Sequence, residues 1–199
     1  MRRLFGMLSM VICLILVGCF MGSSILFLEK DTIGKPNAVI NPGFEKADAR
    51  NNRLPTSWFI ITSKPEYAEY VCRDSIETIE GTHALRIKQS PHDLMVVSDA
   101  FRISKESGYF IKCSAKAEFP LTKPIKVQFT TYDNKGNRKG RYSTSLRPGK
   151  DWKKATISAG FLGNVVSFAR INLLIPKDPD NTIWIDDIGC YRVYYTTRK

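Results

Sequence analysis

Short runs of alternating apolar and polar residues follow one another along the chain from about residue 39 to residue 194. A period of two is typical of β-strands that bury one face and expose the other. Turn-forming residues separate the runs, as at Pro148 and Gly149 and in the segment 178–181. No window of a dozen residues in this part has a clean helical period. The pattern predicts strands at Val39–Glu45, Ser57–Thr62, Tyr67–Arg73, Ala84–Gln89, Leu94–Ile103, Tyr109–Phe119, Ile125–Tyr132, Tyr142–Leu146, Lys153–Ser158, Ser167–Ile175 and Ile183–Tyr194.

Many short strands without intervening helices predict an all-β domain, built as a two-sheet antiparallel β-sandwich. The 199 residues suffice for one such domain with a single core and an N-terminal appendage. Neither an internal repeat nor a low-complexity segment divides the chain. We therefore expect the domain at 38–195, a short tail at 196–199, and a tether at 29–37 in which Gly34 and Pro36 break any helix.

The first 28 residues have the composition of a targeting segment. Arg2 and Arg3 precede a stretch without charged residues that runs to Leu28. In one interpretation, residues 16–19 resemble a bacterial lipobox, so that a signal peptide is removed and Cys19 is lipidated. In the other, the uncharged stretch exceeds the roughly 20 residues that span a bilayer and stays as a transmembrane helix. Both predict an apolar N-terminal helix, a membrane anchor and a domain that faces the periplasm or the cell exterior.

Basic residues outnumber acidic ones, at 30 Lys and Arg against 19 Asp and Glu, and the net charge is +11. Such an excess is a feature of nucleic-acid-binding proteins. Here, however, the basic residues are scattered through strands and turns, and no nucleic-acid-binding motif accompanies them. We therefore expect no nucleic-acid partner and interpret the charge as the solvated surface of an exported protein that faces anionic polymers or lipid.

Residues with catalytic potential are few. The two histidines, His83 and His92, lie outside any nucleophile or metal-binding motif, and neither a G-x-S-x-G motif nor a phosphate-binding loop is present. Asp186 and Asp187 are a conspicuous carboxylate pair. The two carboxylates of a glycosidase flank the scissile bond about 5 to 9 Å apart, whereas adjacent residues of a strand point away from each other. The sequence therefore predicts a protein that binds and does not catalyse.

Three cysteines, Cys72, Cys113 and Cys190, lie in the predicted domain. Their spacing contains no metal-ligand pattern such as C-x-x-C. We expect them to be buried free thiols that act as small apolar residues. One disulfide among them is the alternative, and the sequence does not identify its pair.

Several short motifs occur in a recognisable order along the predicted domain. They are Asn41–Glu45, Leu54–Trp58, Gly81–Ile87, Tyr109–Lys116, Trp152 and Trp184–Cys190. In their order and spacing, residues 39–193 resemble a carbohydrate-binding module of the cellulase-C type, within the galactose-binding-like jelly rolls. The resemblance implies a two-sheet jelly roll and a binding function, with a poly- or oligosaccharide as the ligand.

Sugar-binding sites combine aromatic rings, which stack on the apolar side of a sugar, with polar side chains that bond to its hydroxyl groups. Tyr67 and Tyr70 are three residues apart, so on a strand they point to opposite faces, whereas Gln128 shares the face of Tyr132. The candidate ligand-binding residues are Tyr67, Arg86, Gln128, Tyr132 and Tyr142.

Two other functions remain open for the same fold. One is a structural or protein-interaction module of a cell-envelope or secretion assembly, with an envelope protein as its partner. The other, weaker alternative is an accessory to a separate glycoside hydrolase. A sugar-binding module presents an open face with aromatic residues, whereas a structural module has that face filled or covered.

Asp186 and Asp187 interrupt the apolar closing strand and point to opposite faces, so one of them must meet a hydrogen-bond donor, a cation or a metal. The resemblance implies a structural calcium ion that joins the first strand to the last. Its ligands would be Glu45 and Asp187, or Asp186 in its place, with backbone carbonyls near Gly43 and His83. The alternative is that Glu45 and one aspartate bond to turn amides or to a Lys or Arg side chain.

Overall fold

The computed structural model describes residues 26–195. They form two short 3-10 helices, η1 (Glu29–Thr32) and η2 (Pro65–Tyr70), and eleven β-strands. The strands are β1 (Trp58–Ile61), β2 (Val71–Asp74), β3 (Ala84–Lys88), β4 (Leu94–Ser98), β5 (Phe101–Arg102), β6 (Ser107–Ala117), β7 (Ile125–Tyr132), β8 (Arg138–Leu146), β9 (Lys153–Ala159), β10 (Phe168–Ile175) and β11 (Thr182–Tyr195). The predicted N-terminal helix, including Cys19, lies outside the described residues apart from its last residues, 26–28. The predicted tail at 196–199 also lies outside them. No helix in the described part is long and apolar enough to cross a membrane.

The strands pair antiparallel and form two sheets. The six-stranded sheet has the order β1-β4-β10-β7-β8, and β5 pairs with the start of β10. The five-stranded sheet has the order β2-β3-β11-β6-β9. Apolar residues of both sheets, among them Leu85, Ile111, Phe129 and Ile171, belong to one core. This arrangement confirms the predicted antiparallel β-sandwich.

Three of the predicted strands are replaced or interrupted in the structure, and several others differ only in where they begin or end. Residues 39–45 form a loop, because Asn41 and Phe44 have φ angles of 52° and 58°, outside the range of a strand. Residues 65–70 form η2, which begins at a proline, a residue that suits the first turn of a helix. The run 94–103 is broken into β4 and β5. In each case a local backbone feature overrides an apolar pattern that also suits a strand.

The opening loop of the domain lies against the closing strand β11. Asn37 Nδ2 donates a hydrogen bond to Ile188 O (2.9 Å), and Cys190 N donates to Asn37 Oδ1 (3.0 Å). Further along the loop, Ile188 N donates to Pro42 O (3.2 Å). The beginning and the end of the domain therefore meet on the five-stranded sheet.

The segment before the domain is also bound to this sheet. Phe27 is buried, and its backbone N donates to Ser158 Oγ of β9 (3.0 Å). Lys154 Nζ, on the same strand, lies 2.6 Å from Glu29 Oε1. These contacts hold Phe27, at the end of the predicted anchor segment, and Glu29, at the start of the predicted tether, against β9.

Cys72, Cys113 and Cys190 are buried free thiols, as predicted, and form no disulfide with one another. Burial raises the pKa of the Cys113 and Cys190 thiols well above the ordinary value. Both thiols therefore stay protonated and act as small apolar groups in the core.

Candidate functional site

Two neighbouring strands of the six-stranded sheet, β7 and β10, alternate between the core and the opposite surface. Phe129 and Ile171 are fully buried in the core, whereas Gln128 and Asn172, which are register partners, belong to the opposite surface. The register of the sheet places residues of β1, β4, β5 and β8 beside them. We call this surface the outer face. It comprises Phe59, Val97, Arg102, Lys126, Gln128, Thr130, Tyr132, Arg141, Ser143, Phe168, Arg170, Asn172 and Leu174.

An aromatic pair lies at one end of the outer face. Tyr132 of β7 and Phe168 of β10 are register partners, and their rings stack with centroids 5.3 Å apart and planes 14° apart. Each ring covers one side of the other, and both residues are partly exposed. Arg102 and Arg138 are the next residues outward in the same row. Aromatic rings beside polar and charged groups are typical of sugar-binding sites.

Polar side chains occupy the centre of the outer face. Asn172 Nδ2 donates to Thr130 Oγ1 at 2.9 Å, and both residues are buried. Gln128 lies beside Asn172 in the register, and Ser143 of β8 follows. A side-chain amide has two N–H donors and one oxygen acceptor. The side chains of Gln128 and Ser143 therefore offer hydrogen-bonding groups in addition to the pair of Asn172 and Thr130.

The other end of the outer face opens into a cleft of about 910 Å³. Its lining includes the apolar residues Ile61 and Leu174 and the charged or polar residues Lys126, His92 and Asp93. The outer face thus runs from the aromatic pair, across the polar centre, to this cleft. Leu174 lies six positions after Phe168 on β10, which corresponds to about 20 Å of extended strand. A chain of several sugar rings has room along this line.

Tyr67, a predicted ligand-binding residue, lies on η2 and not on a strand. Its ring stacks on the His92 ring, with centroids 3.4 Å apart and planes 16° apart. Tyr70 meets the same ring edge-on at 6.4 Å. The prediction that Tyr67 and Tyr70 point to opposite faces is wrong, because residues three apart in a 3-10 helix lie on the same side. One side of the Tyr67 ring is therefore already covered by His92.

Tyr142 and Arg86 lie away from the outer face. Tyr142 is the register partner of Phe129 and packs on the core side of the sheet, with the two ring centroids 6.1 Å apart. Arg86 lies on β3 of the five-stranded sheet, where its Nη1 is 3.0 Å from Asp74 Oδ1. The structure therefore does not bring these two residues together with the other candidates.

Gln128 and Tyr132 are the two predicted ligand-binding residues that share the outer face. Phe168, Arg170 and Asn172 lie on the same surface, and sequence analysis does not single them out. The available signal is the alternation along β10, in which these three positions alternate with the buried apolar residues. Their meeting with β7 depends on strand pairing, which the alternation does not reveal.

Glu45 fastens the opening loop to the segment before β3. Its Oε1 accepts hydrogen bonds from the backbone N of Thr82 (2.8 Å) and His83 (3.1 Å), and its Oε2 accepts one from Thr82 Oγ1 (2.7 Å). Burial by itself raises the pKa of Glu45, but the hydrogen bonds from Thr82 and His83 outweigh burial and lower the pKa to about 2. Gly81, with a φ of 66°, makes room for this carboxylate, because a Cβ there would overlap Glu45 Oε1.

A β-bulge between Asp186 and Gly189 interrupts β11 at the predicted carboxylate pair. Asp186 Oδ2 accepts hydrogen bonds from the backbone N of Ile79 (2.9 Å) and Glu80 (3.2 Å), in the loop between β2 and β3. Its Oδ1 accepts one from Asp187 N (2.7 Å). Asp186 is fully buried, and burial raises its pKa despite these three amides. The carboxylate therefore ties the loop to the last strand.

Asp187 meets a cation of β6. Lys112 Nζ lies 2.5 Å from Asp187 Oδ1, and Ser114 Oγ lies 3.5 Å from Asp187 Oδ2. Asp187 has a φ of 51°, so the bulge removes the strict alternation of faces that the sequence pattern suggests. Both carboxylates of the pair are therefore buried and both have partners.

The predicted calcium ligands meet protein donors in this structure. Gly43 lies between two carboxylates, since a Cβ there would be 3.6 Å from Asp186 Oδ1 and 3.7 Å from Glu45 Oε1. Within residues 26–195, no three His, Cys, Asp or Glu side chains are grouped so that they could hold a metal ion. Glu45 bonds to turn amides and Asp187 to a lysine, which are the partners expected if no metal is bound. The calcium site formed by Gly43, Glu45, His83 and Asp187 stays a prediction.

No protein-family model matches the chain, and no curated protein matches its sequence. Solved structures share its fold. The carbohydrate-binding module TmCBM61, in complex with β-1,4-galactotriose, has a TM-score of 0.54 and 16% identity, over 79% of this chain and 99% of that chain. A family 16 carbohydrate-binding module has a TM-score of 0.57 and 13% identity, over 77% of this chain and 99% of that chain.

An enzyme also shares the fold. The Stig cyclase Fisc from Fischerella sp. TAU has a TM-score of 0.55 and 11% identity, over 80% of this chain and 98% of that chain. At such identities the similarity concerns the fold alone. The chain thus has the jelly roll of carbohydrate-binding modules, as the sequence resemblance implies. Because this fold also serves a cyclase, the function has to be argued from the site.

Proposed function

We propose that this protein is a membrane-anchored, extracytoplasmic module that binds a glycan on the outer face of its six-stranded sheet. The observation that carries the proposal is the stacked pair of Tyr132 and Phe168 beside the polar row of Gln128 and Asn172. The fold neighbours that are carbohydrate-binding modules support it, and one of them is in complex with a galactotriose.

Each part of the outer face has a distinct role in this proposal. The exposed part of the Tyr132 or Phe168 ring contacts the apolar side of one sugar. The amide of Gln128 bonds to hydroxyl groups of the next sugar along the sheet, and Asn172, which is buried and bonded to Thr130, supports the surface beside it. A single open surface desolvates few groups, so we expect dissociation constants of roughly micromolar to millimolar.

Binding without catalysis is part of the proposal. The described strands of the six-stranded sheet contain no Asp, Glu, His or Cys, the residue types that usually act as general acid, general base or nucleophile. The absence of such groups from these strands supports a non-catalytic role. The membrane anchor is proposed from residues 1–28 alone, on the basis of Arg2, Arg3 and the uncharged stretch that follows.

A glycan array probed with the full-length protein tests the proposal. The detergent should have no sugar headgroup, because a glycoside detergent would compete for the site. We expect Tyr132→Ala and Phe168→Ala to weaken binding about tenfold, as expected for the loss of one stacking contact. Tyr194→Ala, an exposed tyrosine of β11 on the other sheet, is the matched control and should bind as the wild type does. Binding that survives both outer-face substitutions would contradict the proposed site.

A protein-interaction role is the second candidate. Phe59 and Ile61 lie on the edge strand β1 and are half exposed, at 49% and 50% of their surface. Exposed apolar side chains on a sheet edge are typical of a surface that another chain covers. If no glycan on the array binds, this second candidate replaces the first.

A further inference from the structure

The strands of the six-stranded sheet differ sharply from the rest of the chain in charge. They contain six basic residues and no acidic residue. The basic residues are Arg102, Lys126, Arg138, Lys139, Arg141 and Arg170. The strands of the five-stranded sheet carry eight basic residues, but they also carry Asp74, Asp186 and Asp187, so the six-stranded sheet is distinguished by having no acidic residue in its strands.

Cations on the two sheets have different surroundings. Four cations of the five-stranded sheet are paired with carboxylates. The pairs are Arg86 with Asp74, Lys112 with Asp187, Lys116 with Glu77 and Lys154 with Glu29. Among the basic residues of the six-stranded sheet, in the part of the chain that the structure describes, Lys139 alone forms an ion pair, with Asp133. The other five cations leave an uncompensated positive charge on this sheet.

These cations follow the line along which the sugar chain would lie. Arg102 is the register partner of Phe168, at the aromatic end. Arg170 and Arg141 flank Thr130 in the next row, about 7 Å further along the strands. Lys126 lines the cleft at the far end. Positive charges thus occur at both ends of the outer face and between them.

The side chain of Arg170 is partly fixed by the protein itself. Its Nη1 donates to Ser98 O at 3.2 Å, and the residue is half buried. A guanidinium group has five N–H donors, so several remain for a ligand. Its planar fork matches the two oxygens of a carboxylate or of a similar oxyanion.

We propose that the ligand of the outer face is an acidic polysaccharide whose carboxylate or sulfate groups pair with Arg102, Arg141, Arg170 and Lys126. This inference rests on the proposed glycan-binding function and names its substrate class. A polymer with repeated negative charges neutralises a line of cations. A neutral glycan, in contrast, would cover the same cations without compensating their lost hydration.

A nucleic acid also carries repeated negative charge, but the outer face suits it less well. Proteins that bind single strands offer several aromatic rings, each of which stacks on one base. Here the outer face holds one aromatic pair instead of a series of rings, and its centre holds Gln128, Thr130 and Asn172, which suit hydroxyl groups. The geometry therefore favours the acidic polysaccharide.

Two matched pairs of polymers test the charge requirement with the full-length protein. The first pair is polygalacturonate and its methyl ester, and the second is dextran sulfate and dextran. We expect at least one acidic polymer to bind ten times more tightly than its neutral counterpart, and this affinity to fall as salt is added. The pair that shows the larger ratio identifies carboxylate or sulfate as the recognised group.

Two double variants that remove the same charge test the location. Arg141→Gln with Arg170→Gln removes two cations of the outer face, and Lys88→Gln with Lys153→Gln removes two exposed lysines of the five-stranded sheet. We expect the first variant to bind the acidic polymer about tenfold more weakly and the second to change binding less than twofold. If the first variant melts early, Arg102→Gln with Arg141→Gln replaces it, because both of these side chains are exposed.

The outcomes separate this proposal from the proposed function. Equal affinity for the acidic and neutral members of both pairs overturns the acidic polysaccharide and leaves glycan binding intact. An equal loss of affinity in the two double variants also overturns it, because the net charge of the protein, and not a site on the outer face, would then determine binding. Failure to bind any of the four polymers or any arrayed glycan overturns the proposed function itself. If the protein binds single-stranded DNA or phosphatidylserine vesicles but not the acidic polymers, the proposal that its ligand is an acidic polysaccharide is wrong.

Discussion

Lys112 Nζ lies 2.5 Å from Asp187 Oδ1, and the two side chains are only 11% and 8% exposed. Burial by itself lowers the pKa of Lys112, but the hydrogen bond and the charge of Asp187 outweigh burial and raise the pKa above its ordinary value of 10.5. A raised lysine pKa means that the stabilisation is complete below pH 10.5 and is lost as the pH rises through the folded-state value. The pair therefore stabilises the fold at neutral pH.

Removing one partner of this pair should be costly. We expect Lys112→Met to lower the free energy of unfolding at pH 7 by about 3 kcal/mol, because Asp187 is left buried without its cation. A second change, Asp187→Asn, should recover most of this loss, since asparagine tolerates a positive φ and carries no charge. Urea denaturation of the two variants gives the values. A loss below about 1 kcal/mol in the single variant would contradict the role of the pair.

Glu45 should make the protein sensitive to acid. Its pKa is lowered from 4.5 to about 2 in the folded state, so its contribution is complete above pH 4.5 and is lost as the pH falls towards 2. We expect the melting temperature of Glu45→Gln to fall less steeply over this range than that of the wild type. Glu118→Gln, a change in an exposed carboxylate just after β6, is the control and should keep the wild-type slope. Identical slopes for all three proteins would disprove the prediction.

The calcium hypothesis has a direct thermal test. An ion that binds only the folded protein raises the free energy of unfolding by mass action. If the site exists, the melting temperature of the wild type rises with added calcium and falls with a chelator, and Glu45→Gln abolishes both responses. A wild-type melt that is indifferent to both reagents would show that Thr82, His83 and Lys112 satisfy these carboxylates without a metal.

Gly81 should not tolerate a larger residue. It has a φ of 66°, and a Cβ would overlap the Glu45 carboxylate, so we expect Gly81→Ala to destabilise the protein by about 2 kcal/mol. Gly136→Ala is the matched control, because Gly136 has a φ of 85° but no atom within 4 Å of the new Cβ. It should cost about 1 kcal/mol, which is the backbone term alone. Equal costs at the two positions would show that the overlap with Glu45 contributes nothing.

Cell fractionation tests the anchor. We expect the wild-type protein in the membrane fraction. If the protein is a lipoprotein, the Cys19→Ala variant shows a processing defect. If residues 1–28 form an uncleaved transmembrane helix, the variant stays membrane-bound and unchanged in size. Recovery of the wild type as a soluble cytosolic protein would refute membrane anchoring in both forms.

The sequence is most informative where the structure is most regular. The predicted run Ile125–Tyr132 coincides with β7, and Lys153–Ser158 differs from β9 by one residue. Side chains alternate along a strand, so the apolar period alone identifies the residues that face the core. Gln128 and Tyr132 share a face for the same reason. The burial of Cys113 and Cys190 in the core also follows from this local pattern.

The sequence pattern fails where a local backbone feature replaces the strand. Tyr67 suits a strand by composition, but Pro65 begins a 3-10 helix that places Tyr67 and Tyr70 on one side, against His92. Asp187 lies in a bulge that aims its carboxylate at Lys112. Neither feature alters the apolar period enough to be recognised in advance.

The amino-acid sequence by itself determined that the domain is all-β and which residues of its regular strands face the core. The tertiary structure decided which strands are neighbours, and with that the composition of the outer face. Tyr132 and Phe168 stack, and Arg170 joins Arg141, because β10 pairs with β7 and β7 with β8. Side-chain direction is a local property of the extended backbone, whereas the order of strands in a sheet depends on contacts between distant parts of the chain.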